Sequence, residues 1–248
     1  MEENNKPSRS AGKDLAIAQE RADAIHETEY RLSERKSETV SPCDYVMRAR
    51  DNQPKPLTRE IFETLLDDMN VKFCCDKVRE HKPDAERYKI SLPAITWQSH
   101  FGGGLRTDRS AIPTGFFCLD VDINHEEEFK RLVKESGAEA AFSWAKVQAH
   151  QRAQKWTLMQ QEQDIHSCNP ADDLSIVAIH ISPSETGVHV VACCSPFCKT
   201  IEENQARLAR LLGTSYDEVC KDWARIFFVV PRNDWYYVDM NTLFGEEN

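Results

Sequence analysis

The segment GFFCLDVDIN, residues 115 to 124, places the strongest constraint on how this chain can fold. Four consecutive apolar residues, Phe116 to Leu119, are typical of a strand that is covered on both faces and lies in the middle of a sheet. Two acids, Asp120 and Asp122, end this strand, and side chains two residues apart in a strand point to the same face. Paired carboxylates in such a place need a compensating partner.

The rest of the chain predicts an α+β fold. Two β-rich runs, 175 to 182 and 188 to 194, flank the turn PSETG and predict a hairpin. Thr200 and Glu203 form a capping box for a helix that ends at Gly213, and the runs 224 to 230 and 235 to 240 predict a second hairpin. Strands and helices alternate irregularly, which indicates a mixed, mostly antiparallel sheet flanked by helices.

Helical periodicity divides the chain into an arm and a domain. Residues 1–40 predict a flexible or helical N-terminal arm, and residues 41–248 predict the α+β domain. The Gln-rich stretch 138–170 is interpreted as a helical insertion, an arm or lid, with contacts from Trp144, Val147, Trp156 and Leu158. Thr58 is predicted to cap a helix whose buried face comprises Ile61, Phe62, Leu65, Leu66 and Met69.

Charge and composition exclude several classes of protein. A formal net charge of −10 argues against a surface that coats nucleic acid nonspecifically, although a local basic groove or an acidic metal site stays open. No apolar run approaches the roughly 20 residues of a membrane helix, and the N-terminus lacks a signal-peptide core, so we expect a cytoplasmic protein without a membrane partner. The nine cysteines favour reduced thiols, because their number is odd and most lie in apolar stretches, and no CxxC spacing supports a zinc site at Cys193, Cys194 and Cys198.

Asp120 and Asp122 are the first candidate site. Their carboxylates suit Mg²⁺ or Mn²⁺, which prefer oxygen ligands and leave positions for water and substrate phosphates. The alternative is structural: Asp122, together with Asn124, caps the helix that follows.

Two further segments carry candidate residues. The turn residues Ser182, Ser184, Thr186 and Gly187 offer donors to a phosphate, and His189 opens the next strand. His189 could equally be a core histidine bonded to a backbone carbonyl, which is our interpretation of His180. Downstream, Asp217 and Asp222 precede Arg225, and all three are candidate site residues. Arg225 either clamps phosphate or pairs with one of these acids.

The three segments in this order resemble the motifs of the archaeo-eukaryotic primase superfamily: a hydrophobic strand with DxD, a strand with histidine, and a later Asp. More narrowly, LPAITWQSHF, TGFFCLDVD, SPSETGVHVV and DEVCKDWARIFFVVPRNDWYYV look like the VirE N-terminal-like domains of bacterial mobile elements and phages. The resemblance covers about residues 88 to 240. It implies an RRM-like primase catalytic core.

The resemblance also implies an activity and a site. The activity is that of a metal-dependent DNA primase or primase-polymerase, a nucleotidyltransferase that acts on nucleoside triphosphates and a single-stranded DNA template, with a helicase supplied by a separate chain. Two ions of Mg²⁺ or Mn²⁺ would be held by Asp120, Asp122 and Asp217, with Asp222 as the alternative third acid. The residues implied in binding the triphosphate are Ser182, Ser184, Thr186, Gly187, His189, Arg225 and Arg106.

Two other functions stay open. Glu185 and Thr186 stand where the family turn has Gly and Lys, and the lost cation favours a catalytically inactive primase-fold module that binds nucleotide, single-stranded DNA or a partner protein. An RRM-like RNA binder is the third hypothesis. It should carry paired aromatics on central strands beside basic residues, whereas GFFCLDVD has acids in that place.

Overall fold

The computed structural model describes residues 40–165 and 173–246. The predicted N-terminal arm and the end of the 138–170 stretch therefore lie outside the described residues. A first antiparallel sheet has the strand order β2-β1-β3-β9. Its strands are β1 (Val40–Val46), β2 (Lys55–Thr58), β3 (Ala94–Thr96) and β9 (Phe227–Phe228).

A second antiparallel sheet contains most of the predicted strands and has the order β10-β7-β8-β6. The strands are β6 (Phe116–Asp122), β7 (Ile176–Ile181), β8 (Gly187–Cys193) and β10 (Trp235–Val238). A small hairpin of β4 (Ser99–His100) and β5 (Ile112–Pro113) precedes β6. The α+β class and the mostly antiparallel pairing are confirmed, as is the β7–β8 hairpin.

Seven α-helices and two 3₁₀ turns complete the described part of the chain. Thr58 and Thr200 cap their helices as predicted, each accepting a hydrogen bond from the backbone three residues on. None of these helices is long and apolar enough to cross a membrane. The helices are α1 (Arg59–Leu66), α2 (Met69–Val78), α3 (Ala85–Lys89), α4 (Glu127–Ser136), α5 (Ala138–Ile165), α6 (Ile201–Leu212) and α7 (Met240–Phe244); the turns are Ile123–His125 and Arg232–Asp234.

Strand β6 is covered on both faces, although it lies at the edge of its sheet and not in the middle. Phe116 and Cys118 belong to a core shared with the first sheet, α1, α2 and α7. Phe117, Leu119 and Val121 point to the other face, into a core shared with α5 and α6. Successive side chains of β6 therefore point alternately into two buried layers. Asp120 continues the row that faces the first sheet.

Helix α5 packs on the second sheet, which corrects its interpretation as an arm or lid. Four alanines spaced by four residues, together with Trp156, form the contact stripe, and all are at most 1% exposed. Small side chains let the helix approach the sheet closely. Of the four predicted contacts, Trp156 is buried and Trp144 packs against this core, whereas Val147 and Leu158 are about half exposed and were wrongly predicted. The alanines are Ala141, Ala145, Ala149 and Ala153.

The segment 224–240 does not form the predicted hairpin. β9 pairs with β3 in the first sheet, whereas β10 pairs with β7 in the second. Pro231 and the 3₁₀ turn Arg232–Asp234 separate them, so the chain passes from one sheet to the other instead of reversing on itself. Met69 was also wrongly predicted to be buried: it is 72% exposed, because α1 ends at Leu66 and Asp68 caps a new helix.

Candidate functional site

A cavity of about 250 Å³ lies where β6 and β8 of the second sheet approach β9 of the first. We call it the site cavity. It gathers residues from all three predicted segments, which are far apart in sequence. Seven residues predicted from the sequence as site residues line it: Asp120, Asp122, Ser182, Ser184, Gly187, His189 and Arg225. The remaining lining residues are Lys89, Pro183, Ile226, Phe227 and Phe228.

The register of β6 and β8 sets two close approaches. Asp120 lies opposite His189, and His189 Nε2 is 3.4 Å from Asp120 Oδ1. Asp122 lies opposite Gly187, where an added Cβ would be only 2.8 Å from the carbonyl oxygen of Val121. A glycine is therefore required at 187 if the turn is to enter β8 this close to β6.

Asp217 joins Asp120 through both backbone and side chains. The Asp217 amide donates to the Asp120 carbonyl oxygen at 2.8 Å. The Cys220 thiol donates to Asp120 Oδ2 at 3.3 Å, lies 3.7 Å from Asp217 Oδ2, and accepts a hydrogen bond from Arg225 Nη2 at 2.9 Å. One ligand atom each from Asp120, Asp217 and Cys220 lies within 4.8 Å of the others, an arrangement that could hold a metal ion.

The two acids of β6 have different electrostatic environments. Burial opposes ionisation of Asp120, but the interaction with His189, the hydrogen bond from Cys220 and the charge of Arg225 outweigh it and lower the pKa of Asp120 to about 2. Burial raises the pKa of Asp122, which the Asn124 amide only partly offsets. Burial and the nearby Asp120 raise the pKa of the Cys220 thiol, which is therefore a hydrogen-bond donor.

Asp122 both caps the turn that follows β6 and lines the site cavity. Its Oδ1 accepts a hydrogen bond from the Asn124 amide at 2.9 Å and so caps the 3₁₀ turn, as the structural alternative predicted. It also lines the site cavity beside Asp120. It does not belong to the Asp120, Asp217 and Cys220 cluster, so the predicted metal set is brought together only in part.

The turn between β7 and β8 presents its serines to the site cavity but not Thr186. The hydroxyls of Ser182, Ser184 and Thr186 form a chain with spacings of 3.2 and 2.9 Å, and Asn124 Nδ2 donates to Thr186 at 2.8 Å. Thr186 is 1% exposed and does not line the cavity, so its predicted role in binding the triphosphate is not supported.

Glu185 fixes this turn from the side away from the site cavity. Its backbone has φ of 59°, a left-handed conformation that glycine adopts without strain. Its carboxylate lies 2.7 Å from Lys146 Nζ on α5 and 3.6 Å from Arg79 Nη1 beyond α2. Arg79 Nε also donates to the Pro183 carbonyl oxygen at 3.3 Å. Two helices therefore hold the turn in place.

Two predicted residues lie elsewhere. Arg106 donates to the carbonyl oxygens of Ala224 and Ala49 at 3.0 and 2.9 Å, so its guanidinium is used in holding loops together. Asp222 is exposed and is outside both the cavity lining and the metal-type cluster. The geometry therefore favours Asp217 as the third acid.

The structure also brings in residues that the sequence did not mark. Cys220 follows Asp217 by three residues, and only the turn between them places its thiol against Asp120. Lys89 reaches the site cavity from α3, with its Nζ 5.7 Å from the centre of the Phe228 ring. No local pattern distinguishes Lys89 from the other surface lysines. His180 is a core histidine as predicted, with Nδ1 3.0 Å from the Ile181 carbonyl oxygen.

Comparisons of the chain with protein-family models, with curated proteins and with solved structures find no match. The family resemblance accordingly rests on the motifs in the sequence alone.

Proposed function

We propose that this protein is a metal-dependent nucleotidyltransferase of the primase or primase-polymerase type, serving DNA replication of a phage or mobile element. The observation that carries the proposal is the site cavity, where residues from the DxD, histidine and Arg225 segments meet. Asp217 adds a further acid through its hydrogen bond to the Asp120 backbone. The second sheet departs from the split β-α-β-β-α-β order of an RRM-like core, because β6 lies at its edge and β10 pairs with β7, so the proposal rests on the site and not on the sheet order.

The donor set fits a divalent cation. Asp120 and Asp217 offer carboxylate oxygens, the ligands that Mg²⁺ and Mn²⁺ prefer, and Asp122 lies in the same cavity. Such ions, when bound, would lower the pKa of an attacking 3′-hydroxyl and offset charge on the transferring phosphoryl group. The low pKa of Asp120 keeps this carboxylate ionised and ready to bind at neutral pH.

The remaining lining residues suit a nucleoside triphosphate. Arg225 and Lys89 place positive charge at the cavity, and Ser182 and Ser184 supply hydroxyls that can donate to phosphate oxygens. His189 is 6% exposed and is held by Asp120, so it would present its imidazole in a fixed orientation. Phe228 offers a partly exposed ring to a base.

The catalytically inactive module is the second candidate, and a specific observation favours it. Both carboxylate oxygens of Asp120 already have partners in His189 and Cys220, and Thr186 supplies no cation at the turn. An RNA-binding RRM is less well supported, because the paired rings of Phe116 and Phe117 are 5% and 1% exposed and cannot stack on bases.

A primer synthesis and extension assay on single-stranded DNA with Mn²⁺ tests the proposal. Asp120→Asn and Asp217→Asn keep the shape of each side chain but remove its charge, so each variant should lose activity to background. Asp222→Asn, which changes an exposed acid outside the site cavity, is the matched control and should keep wild-type activity.

Two results would contradict the proposal. Wild-type activity in Asp120→Asn would refute the site assignment. A wild-type protein that binds Mn²⁺ and nucleotide by calorimetry but synthesises no product, on any template tested, would favour the inactive module.

A further inference from the structure

Gln205 on α6 is a fully buried amide that contacts both acid-bearing segments. Its Nε2 donates to the Cys118 carbonyl oxygen at 2.9 Å and to the Cys220 carbonyl oxygen at 3.0 Å. Cys118 precedes Asp120 by two residues on β6, and Cys220 follows Asp217 by three. One side chain therefore links the backbones on which the two carboxylates stand.

The orientation of this amide is determined by its surroundings. Two carbonyl oxygens face the nitrogen end, and only a donor group can satisfy both of them. Gln205 Oε1 has no hydrogen-bond partner among the described residues, so the nitrogen makes all of the hydrogen bonds of this side chain. A buried amide with one unsatisfied atom is costly, and its two donations must outweigh that cost.

The segment that carries Asp217 depends on such external bonds. Residues 214–226 lie between α6 and β9 and contain no helix or strand. The Asp217 amide bonds to the Asp120 carbonyl oxygen, and Gln205 bonds to the Cys220 carbonyl oxygen. The first contact joins the segment to β6 directly at Asp217. The second joins it to β6 through Gln205 at Cys220, so both ends of the stretch 217–220 are held.

We propose that Gln205 is a positioning residue, which sets the separation of the Asp120 and Asp217 carboxylates and so the affinity of the site for a divalent cation. This inference rests on the proposed metal-binding role of the two acids. Gln205 does not line the site cavity, so it acts only through the backbones that it holds. Outer contacts of this kind typically change metal affinity by about 10- to 100-fold.

The test is Mn²⁺ binding followed by electron paramagnetic resonance, at a temperature where each protein is folded. Gln205→Met keeps the length of the side chain and removes both donations, and Gln205→Asn keeps the amide but shortens its reach. Both should bind Mn²⁺ about 10- to 100-fold more weakly than wild type, and the spectrum of the bound ion should change.

Asn204 is the matched control. It is the neighbouring residue, is 3% exposed, and makes two hydrogen bonds of its own, to the Ser195 amide and the Thr200 carbonyl oxygen. Asn204→Ala should lower the thermal midpoint without changing Mn²⁺ affinity. This comparison separates positioning of the site from a general loss of stability.

Each outcome decides the proposal. Wild-type affinity in both Gln205 variants would overturn the positioning role and leave the metal site standing. Equal weakening in Asn204→Ala would overturn it too, as a purely structural effect. If the wild-type protein itself bound no Mn²⁺, the proposed function and this inference would fall together. Should Gln205→Met not fold, Gln205→Asn decides alone.

Discussion

The two histidines of the β7–β8 hairpin lie opposite each other, with ring centroids 4.8 Å apart, yet they face different surroundings. His189 reaches Asp120 and the site cavity. His180 is 1% exposed and stacks on Trp235 at 4.2 Å. Burial, together with the charge of His189, lowers the pKa of His180 well below 6.5. The fold therefore needs His180 neutral.

Acid should destabilise the protein through His180. Below pH 6.5 the unfolded chain takes up a proton on this residue that the folded chain does not, so the free energy of unfolding falls as the pH drops toward the folded-state pKa. One such proton gives a slope of about 1.4 kcal/mol per pH unit. Urea unfolding of His180→Phe and wild type at pH 5 and pH 7 measures it.

The variant should show a shallower decrease in the free energy of unfolding between those two pH values. A decrease as steep as that of the wild type would mean that other groups account for the acid sensitivity.

At the residue scale, period-two alternation was enough to predict that Asp120 and Asp122 share a face, because it depends only on local backbone geometry. Arg106 shows the limit of such reasoning. A lone arginine in a sequence carries no indication of whether its partner will be a phosphate or, as here, two backbone carbonyls. The partners of Lys89 and Cys220 likewise depend on tertiary contacts.

The alanine stripe of α5 determines how closely this helix approaches the second sheet. Ala149 is fully buried at its centre. Ala149→Leu would insert three carbon atoms into a filled space and should lower the free energy of unfolding by about 1–3 kcal/mol. Val147→Leu adds a single methylene on the same helix where the side chain is 49% exposed, and should change little.

Chemical denaturation of both variants checks this prediction. If both were as stable as the wild type, the alanines would not form a close contact, and α5 could be the loosely attached element that its glutamines suggested. The helix itself was predicted from the sequence, but its packing on the sheet was not, because large apolar residues were taken as its contacts while the packing depends on small ones.

On the scale of the molecule, the site cavity spans both sheets. Asp120 and His189 come from the second sheet, and Phe228 comes from the first. A ligand that binds here contacts both layers in the folded state only, and so it stabilises the fold by mass action. At a ligand concentration of 100 Kd the gain is about 2.7 kcal/mol.

We therefore expect Mn²⁺ with a nucleoside triphosphate to raise the thermal midpoint of the wild type and of Asp222→Asn, but not of Asp217→Asn. Differential scanning fluorimetry with and without the ligands measures the shift. An equal shift in Asp217→Asn would place the ligand somewhere other than the proposed cluster.

The whole architecture was only partly predictable. Fold class and the β7–β8 hairpin follow from local periodicity and turn residues, which act over a few positions. The division into two sheets depends on pairings such as β9 with β3, which join residues more than 130 positions apart. The hairpin predicted at 224–240 was wrong although both strands were correctly predicted, because each of them pairs with a strand elsewhere in the chain.

The position of β6 at the rim of its sheet has a consequence for solubility. A bare strand edge offers unpaired backbone groups to a second molecule and invites aggregation. Here the outward carbonyl oxygens of Cys118 and Asp120 are occupied by Gln205 and by the Asp217 amide. A Gln205 substitution frees only the first of these oxygens, since the Asp217 amide belongs to the backbone, so the edge of β6 stays partly closed to a strand from another copy.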